Sequence, residues 1–569
     1  MRLPGMLHAA FVRASHAHAR IRAIHADAAR ALPGVHAIYT AADMPSAMRD
    51  ARIPMMLPNP QLHSPMTGYA LAPSEVCYAG EAIAIVIAKT RHIAEDAAQL
   101  VDIAYDVLPA VSDCREAVKD GAPLAHSALA HNKAAVAKVG YGDIAAAFTG
   151  AAHVFRETLW HHRGCGHALE CRGALARWDR DGLTLWSSTQ TPHLEKRQLA
   201  GLLGTEDIRV IAPDVGGGFG PKAIFYGEDA ALAVAAKRLG RPVKWIEDRR
   251  EHLMAANHSR QQTHRLRMAV DANGVVLGMD DEFFHDQGAY VRTHAARVPD
   301  LTIGMLPGAY RIPAFRATAH FRLTNKTPAA TYRAPGRFEG TFVRERAMDM
   351  IAEKLGIDRV EIRKRNLFGP GELPHARGLS ALGTDVVFNW ADYPAVLDKI
   401  LAHVGWDKMQ ADIASRRARG EWVGAGFGCF TEKTGLGPKD TAYVSVDASG
   451  RIEVLTGGAS LGQGFETLMA QICAEELGAD YRAISVIHGQ TNLIADGIGA
   501  HASRASVVTG NAVHVAAANL RAVILREAAR LLQTPAEKLR IEDGVVQTAD
   551  NAGPDRKSTR LNSSHVSES

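Results

Sequence analysis

Four glycine-punctuated loops, far apart in a chain of 569 residues, carry the residue types that could hold a large ligand rich in oxygen and nitrogen. The segment PDVGGGFGPKA (213–223) sets Gly216, Gly217, Gly218 and Gly220 around Phe219. Such a backbone can come within hydrogen-bonding distance of a bulky guest while a ring projects from its middle. A large anionic or polycyclic cofactor suits it. The common nucleotide fingerprints fail here, because Pro221 stands where GxGxxG needs glycine and Ala223 follows Lys222 where a P-loop needs Ser or Thr. SSTQTP (187–192) places Gln190, whose amide both donates and accepts, beside a proline-stiffened turn. TYRAPGRFEG (331–340) brackets Ala-Pro-Gly with Arg333 and Arg337, and GGASLGQG (457–464) combines four glycines with Gln463. Each loop alone is unremarkable; together they supply the dispersed backbone donors that a buried cofactor needs.

Other chemistries are poorly provided for. The six cysteines (77, 114, 165, 171, 429 and 473) include no CxxC pair, a spacing that argues against a zinc site, an iron–sulfur cluster or a disulfide framework held by this chain alone. No HExxH occurs, and His16, His18, His161 and His162 read as surface or core histidines. A formal charge of +4 is too even for a phosphate-neutralising surface. The longest apolar run, AIAIVIA at 82–88, has strand length, and Pro4 and His8 interrupt any signal-like start, so a cytoplasmic protein is expected.

The elements that must position these loops alternate in type. EAIAIVIA (81–88) reads as a strand, Thr90 caps a helix with Ile93, Ala97, Leu100 and Val101 on one face, and AYDVLPAV is extended, together suggesting a βαβ-like unit. WDRDGLTLW (178–186), VDANGVVLG (270–278) and VSVDASGRIEVLTGG (444–458) carry hairpin turns. EDAALAVAAKRLG (228–240) and VRERAMDMIAEKLG (343–356) are helices stopped by glycine, and Phe465, Leu468, Met469 and Ile472 share a helical face. Strand, turn, strand and a polar loop ending in glutamine occur twice, at Gln190 and at Gln463, which suggests two similar halves facing one site.

LPGMLHAAFVRASHAHARI (3–21), YAGEAIAIVIA (78–88), DVGGGFG, TYRAPGR, RKRNL (363–367), GASLGQG and SRASVVTG (503–510), in this order, resemble the molybdenum-cofactor large subunit of the xanthine dehydrogenase, aldehyde oxidase and aerobic carbon monoxide dehydrogenase family. The resemblance implies an α+β fold: an N-terminal α/β hammerhead domain (1–111), a linker (112–139), a mixed α/β molybdopterin-binding domain (140–370), a connection (371–390) and a second such domain, incomplete, at 391–554. Residues 555–569 read as a disordered or artefactual tail. It implies molybdenum carried by molybdopterin cytosine dinucleotide, with FAD and [2Fe–2S] clusters on medium and small partner subunits. The metal would be held through the pterin and not by side chains.

By motif, Gln190 would hydrogen-bond an oxo ligand, the Gly220 amide would meet the cofactor beside Gly218, and Phe219 would wall the substrate pocket. The Arg333 amide would face an oxo group, Leu461, Gly462 and Gln463 would hold the pterin, and Ala502, Ser503, Arg504, Ala505 and Ser506 would cradle the dinucleotide. The implied reaction oxidises an electron-poor carbon with water as oxygen source and a carboxylate as base, and sends electrons to the iron–sulfur partner. If so, Gln190, Phe219, Arg333 and Gln463 must come together in space.

Departures from the family's pattern narrow this reading. The Gly-x-Gly-Glu that carries the base has no counterpart except GPGE, ending at Glu372 in the connection, and that glutamate reads as an ordinary loop residue. The chain is therefore expected to be truncated at both ends, and a non-catalytic fragment or scaffold is the competing expectation. Ala334 and Pro335 stand where carbon monoxide dehydrogenases place a copper-binding cysteine, and Ala223 where purine oxidisers place a glutamate. An aldehyde or N-heterocycle is the expected substrate.

Overall fold

The computed structural model describes residues 1–548 except Pro58, Ser64, Pro65, His294 and Pro438; the tail expected at 555–569 lies outside the described residues. Its central feature is a seven-stranded sheet in the order Ile208–Ile211, Gly182–Ser187, Gly173–Asp179, Val243–Ile246, Leu7–Arg13, Ala82–Ala88, Val35–Thr40. Every residue of Ala82–Ala88 is buried, which explains its unbroken apolar run. Ile85 and Ile87 pack toward the helix Gly227–Leu239, whereas Ala84 and Val86 pack with Ala97 of the helix Arg91–Gln99. The side-chain alternation of a strand thus serves two cores.

This sheet crosses the boundary expected at residue 111, since Leu7–Arg13 runs parallel to Val243–Ile246 with Leu7 opposite Val243. The βαβ-like expectation is corrected. Asp102–Val107 leaves the sheet of Ala82–Ala88 and pairs antiparallel with Ala19–His25 in a separate three-stranded sheet with Glu75–Val76. Its residues, partly or fully exposed throughout, could not have filled a strand position buried on both faces.

The second region adds a five-stranded sheet, Lys133–Tyr141, Ala314–Leu323, Val276–Gly288, Gln262–Val270 and His153–Trp160, over the largest core. Lys133–Tyr141 begins inside the stretch expected as linker, and pairs with Ala314–Leu323 through its buried Ala135 and Ala137. The connection expected at 371–390 likewise contains a hairpin, His375–Ala381 with Thr384–Phe388, whose Leu379, Ala381, Val386 and Phe388 join that core. Gly and Pro density concealed both.

The third region is a small sheet, Ala442–Val446, Ile452–Thr456 and Ile484–Ile487, covered by the helices Phe465–Leu477 and Gly510–Leu532. Its path is that of Gly173–Ile211: an antiparallel hairpin, a loop holding glutamine, a helix (Pro192–Leu203 or Phe465–Leu477) and a strand parallel to the second hairpin strand. The repetition read in the loops extends to topology. One helical run, Ala505–Leu532, reaches a mean hydropathy of 1.2 and the length of a membrane span, although polar residues interrupt its apolar ones.

Candidate cofactor site

Gln190 follows directly from the hairpin Gly173–Asp179/Gly182–Ser187, and Pro192 starts a helix two residues later, so its backbone is held from both sides. It is 4% exposed. Its N–H donates to Lys222 O at 2.9 Å, and its O accepts from Ala500 N at 2.9 Å. Oε1 accepts from Gly220 N at 2.8 Å while Nε2 donates to Ala500 O at 2.8 Å. A primary amide has two N–H bonds, so one donor remains for a ligand.

The glycine loop explains its own composition. A Cβ on Gly218 would stand 2.5 Å from Gln190 Oε1, one on Gly216 2.6 Å from Glu170 Cβ, and one on Gly220 2.6 Å from Thr331 O. Glycine is needed here because loops meet loops at backbone distance. Phe219 adopts φ 56° at the crest and stays 42% exposed, with its ring edge 2.9 Å from where a Cβ on Gly217 would stand. Glu170 Oε2 accepts from Gly216 N at 2.7 Å and from Lys222 Nζ at 2.6 Å, tying both ends of the loop. Burial lowers the Lys222 ammonium pKa, with Glu170 opposing that shift. Sequence reading missed Glu170 and Lys222 as a pair, because 52 residues separate them.

Arg333 meets this loop through its backbone: its N–H donates to Phe219 O at 2.9 Å. The guanidinium of Arg260 clamps the turn from behind, donating to Arg333 O, to Ala334 O at 3.3 Å and to Glu339 Oε2 at 3.3 Å, and lying over the rings of Tyr332 and Phe338. Two expected donors therefore point inward, the Gly220 amide to Gln190 and the Arg333 amide to Phe219. The physical reason is that converging loops satisfy their buried N–H groups on one another.

The other half joins through Gly217 N, which donates to Leu461 O at 3.2 Å. Gln463 closes its own loop, accepting from Leu461 N at 2.5 Å and donating to Ala459 O at 3.2 Å. A Cβ at Gly462 would meet only Val215 O at 3.9 Å and one at Gly464 nothing, so open space lies at the N-terminus of the helix Phe465–Leu477. Unpaired helix N–H groups and the helix dipole favour an anion there. Ala502 and Ser503 turn the chain with φ 51° and 54°, and Ala505 and Ser506 enter the π-helical turn Ala505–Thr509. Arg504 is fully buried and donates to Leu436 O at 2.5 Å and Lys439 O at 2.6 Å, so its guanidinium braces a neighbouring loop.

The loops of Gln190, Phe219, Arg333 and Leu461–Gln463 are thus directly bonded to one another across both halves. Glu372 is apart from them: it is half-exposed, paired with Arg311 Nη1 at 2.7 Å, and accepts from Gly369 N. The open glycines at a helix N-terminus, the spare Gln190 donor and the exposed Phe219 ring fit a large anionic group with a planar neighbour.

Comparison with known proteins agrees. Residues 1–109 match the aldehyde oxidase and xanthine dehydrogenase a/b hammerhead domain, and 125–367 and 399–564 each match a molybdopterin cofactor-binding domain. The 6-hydroxypseudooxynicotine dehydrogenase complex subunit gamma of Paenarthrobacter nicotinovorans is 37% identical over 95% of this chain and 68% of its own length. The nicotine 6-hydroxylase large subunit of the same organism is 34% identical over 95% of this chain and 67% of its own length. The crystal structure of quinoline 2-oxidoreductase from Pseudomonas putida 86 superposes with a TM-score of 0.88 at 33% identity, covering 97% of this chain and 71% of that one. The chain spans about two thirds of these relatives. It is an oxidoreductase chain of the molybdenum hydroxylase family and belongs among that family's molybdopterin-binding large subunits.

Proposed function

We propose that this chain binds molybdenum as molybdopterin cytosine dinucleotide and oxidises an N-heterocycle at an electron-poor ring carbon, with water as oxygen source. Electrons then leave to [2Fe–2S] and FAD groups on small and medium partner subunits. The observation that carries the reading is the direct bonding of the Gln190, Phe219, Arg333 and Leu461 loops. When bound, the molybdenum pterin supplies two-electron oxidation of carbon. The chain's own residues bind and orient. Gln190, its position fixed by Gly220 and Ala500, would offer its remaining N–H to an oxygen of the group. The Phe219 ring offers a flat apolar wall against which a planar heterocycle stacks and excludes water. Gly462 and Gly464 leave room for phosphate at the helix beginning at Phe465.

Two of the relatives described above bear names of nicotine-related substrates and the solved one of quinoline, all N-heterocycles, which favours that class over an aldehyde. Ala334 offers no sulfur for copper, and Ala223 is buried and carries no polar group toward a purine. Turnover of a panel of N-heterocycles and aldehydes by the complex, in water enriched in heavy oxygen, tests the proposal. Label is expected in a hydroxylated heterocycle. A loaded, folded complex that oxidises neither class would favour a scaffold role.

A further inference from the structure

Outside the cofactor site, four potential metal-ligating side chains meet where the N-terminal region joins the first cofactor-binding region. The ligand atoms of His18, Glu75 and Cys77 lie within 4.8 Å of one another. His18 Nε2 is 2.7 Å from Glu75 Oε1, and Cys77 Sγ is 3.2 Å from His126 Nδ1. His18, Cys77 and His126 are 4%, 1% and 1% exposed, while Glu75 opens partly to solvent and gives an entry path.

The outer nitrogens of both imidazoles are already engaged. His126 Nε2 is 2.5 Å from Ala289 O, and His18 Nδ1 is 2.8 Å from Pro109 O. A carbonyl can only accept, so these nitrogens carry protons, and Nδ1 of His126 turns its lone pair toward Cys77; His18 Nε2 also carries a proton, donated to Glu75 Oε1, and would give it up to ligate a metal. Metal-bound histidines are oriented by such carbonyl bonds. Ser127 N and Oγ donate to Glu75 Oε1 at 2.9 and 2.8 Å, and orient that carboxylate.

We propose that His18, Glu75, Cys77 and His126 form a structural zinc(II) site. A thiolate, two neutral imidazoles and a carboxylate are a tetrahedral zinc set, and the two negative charges balance the ion. Bonds of about 2.0–2.3 Å place such ligands roughly 3.3–3.7 Å apart; the His18, Glu75 and Cys77 atoms, all within 4.8 Å, exceed this by at most about 1.5 Å, and His126 Nδ1 stands 3.2 Å from Cys77 Sγ. Binding releases the Cys77 thiol proton and the His18 Nε2 proton to solvent and leaves the oxidation state unchanged. The ion would tie the strand Glu75–Val76 and its flank to the segment around His126, which itself holds Ala289 at the end of the strand Val276–Gly288. This site does not depend on the cofactor reading.

The test uses the purified full chain, stripped with a chelator and titrated with zinc(II) or cobalt(II). One equivalent is expected, with a thiolate-to-cobalt charge-transfer band, a raised Tm with zinc, and equal uptake in molybdenum-free protein. The band should vanish in Cys77→Ser and persist in Cys171→Ser, which alters the separate Cys171, Glu247 and His252 group. His18→Gln should weaken zinc binding at least about tenfold, which keeps the test open if Cys77→Ser fails to fold. A folded wild-type chain that binds neither ion, or a band that survives in folded Cys77→Ser, would overturn the proposal.

Discussion

Gln190 has both ends of its side-chain amide engaged inside the protein, which makes it a keystone between loops. Gln190→Ala leaves the Gly220 N–H and the Ala500 carbonyl unpaired, at about 1–3 kcal/mol for each buried group. Denaturation should show that loss, and because loop displacements of about 1 Å can cost 100-fold in rate, turnover per bound metal should fall by about that factor. Gln190→Glu keeps the acceptor for Gly220 but loses the donor to Ala500, and should fall between the two. Phe219→Ala removes a ring that is 42% exposed and should move stability by less than about 0.5 kcal/mol, while raising KM for a planar substrate more than it lowers kcat. Both residues were legible in sequence, because a glutamine after a hairpin and a ring within glycines are local patterns. Glu170, Lys222 and Arg260 were not, because their partners lie 52 and 73 to 79 residues away. The same limit hid the His18, Glu75, Cys77 and His126 cluster, which a search for closely spaced cysteines cannot register.

Among the elements, the helices Pro192–Leu203 and Gly227–Leu239 bring Glu195 and Asp229 to one small cavity with Ser187, Thr189 and Lys222, just behind Gln190. Burial pushes the Glu195 carboxyl from 4.5 up to about 7, and burial followed by the nearness of Glu195 pushes Asp229 up as well. The folded state therefore holds more protons than the unfolded chain between about pH 4.5 and 7. The stability this provides is present at the acid end and is lost as pH rises through that window. Glu195→Gln, which stays neutral, should flatten the trend, so the drop in Tm from pH 5 to pH 8 should be smaller than in the wild type. An unchanged drop would mean that the pair is already ionised. Helices and hairpins of this kind were readable from periodicity and glycine stops, as Gly240 and Gly356 in left-handed conformation attest. The strand Lys133–Tyr141 was not, because its pairing partner Ala314–Leu323 lies in a distant segment, nor was the hairpin at 375–388, whose surroundings are rich in Gly and Pro.

Across the whole molecule, the hammerhead region is not a detachable module, because its strands Leu7–Arg13, Ala82–Ala88 and Val35–Thr40 complete the sheet of the first cofactor-binding region. Expressing residues 112–548 alone would expose the edge of Val243–Ile246 and the apolar face of Gly227–Leu239. That product should aggregate or stay in inclusion bodies, as judged by size-exclusion chromatography, whereas the full chain should not. Domain order was legible from ordered motifs, but a sheet shared between sequence-distant strands has no local signature. The repeated path through Gln190 and Gln463 was half visible, since the loops repeat in sequence while the returning parallel strands appear only in space. The central claim is that these two halves jointly hold one molybdenum pterin. It is tested most directly by metal and pterin analysis of the chain produced with its partner subunits, beside Gln190→Ala. About one molybdenum and one pterin per wild-type chain, with clearly less in the variant, is the predicted result; a folded wild-type complex free of both would contradict it.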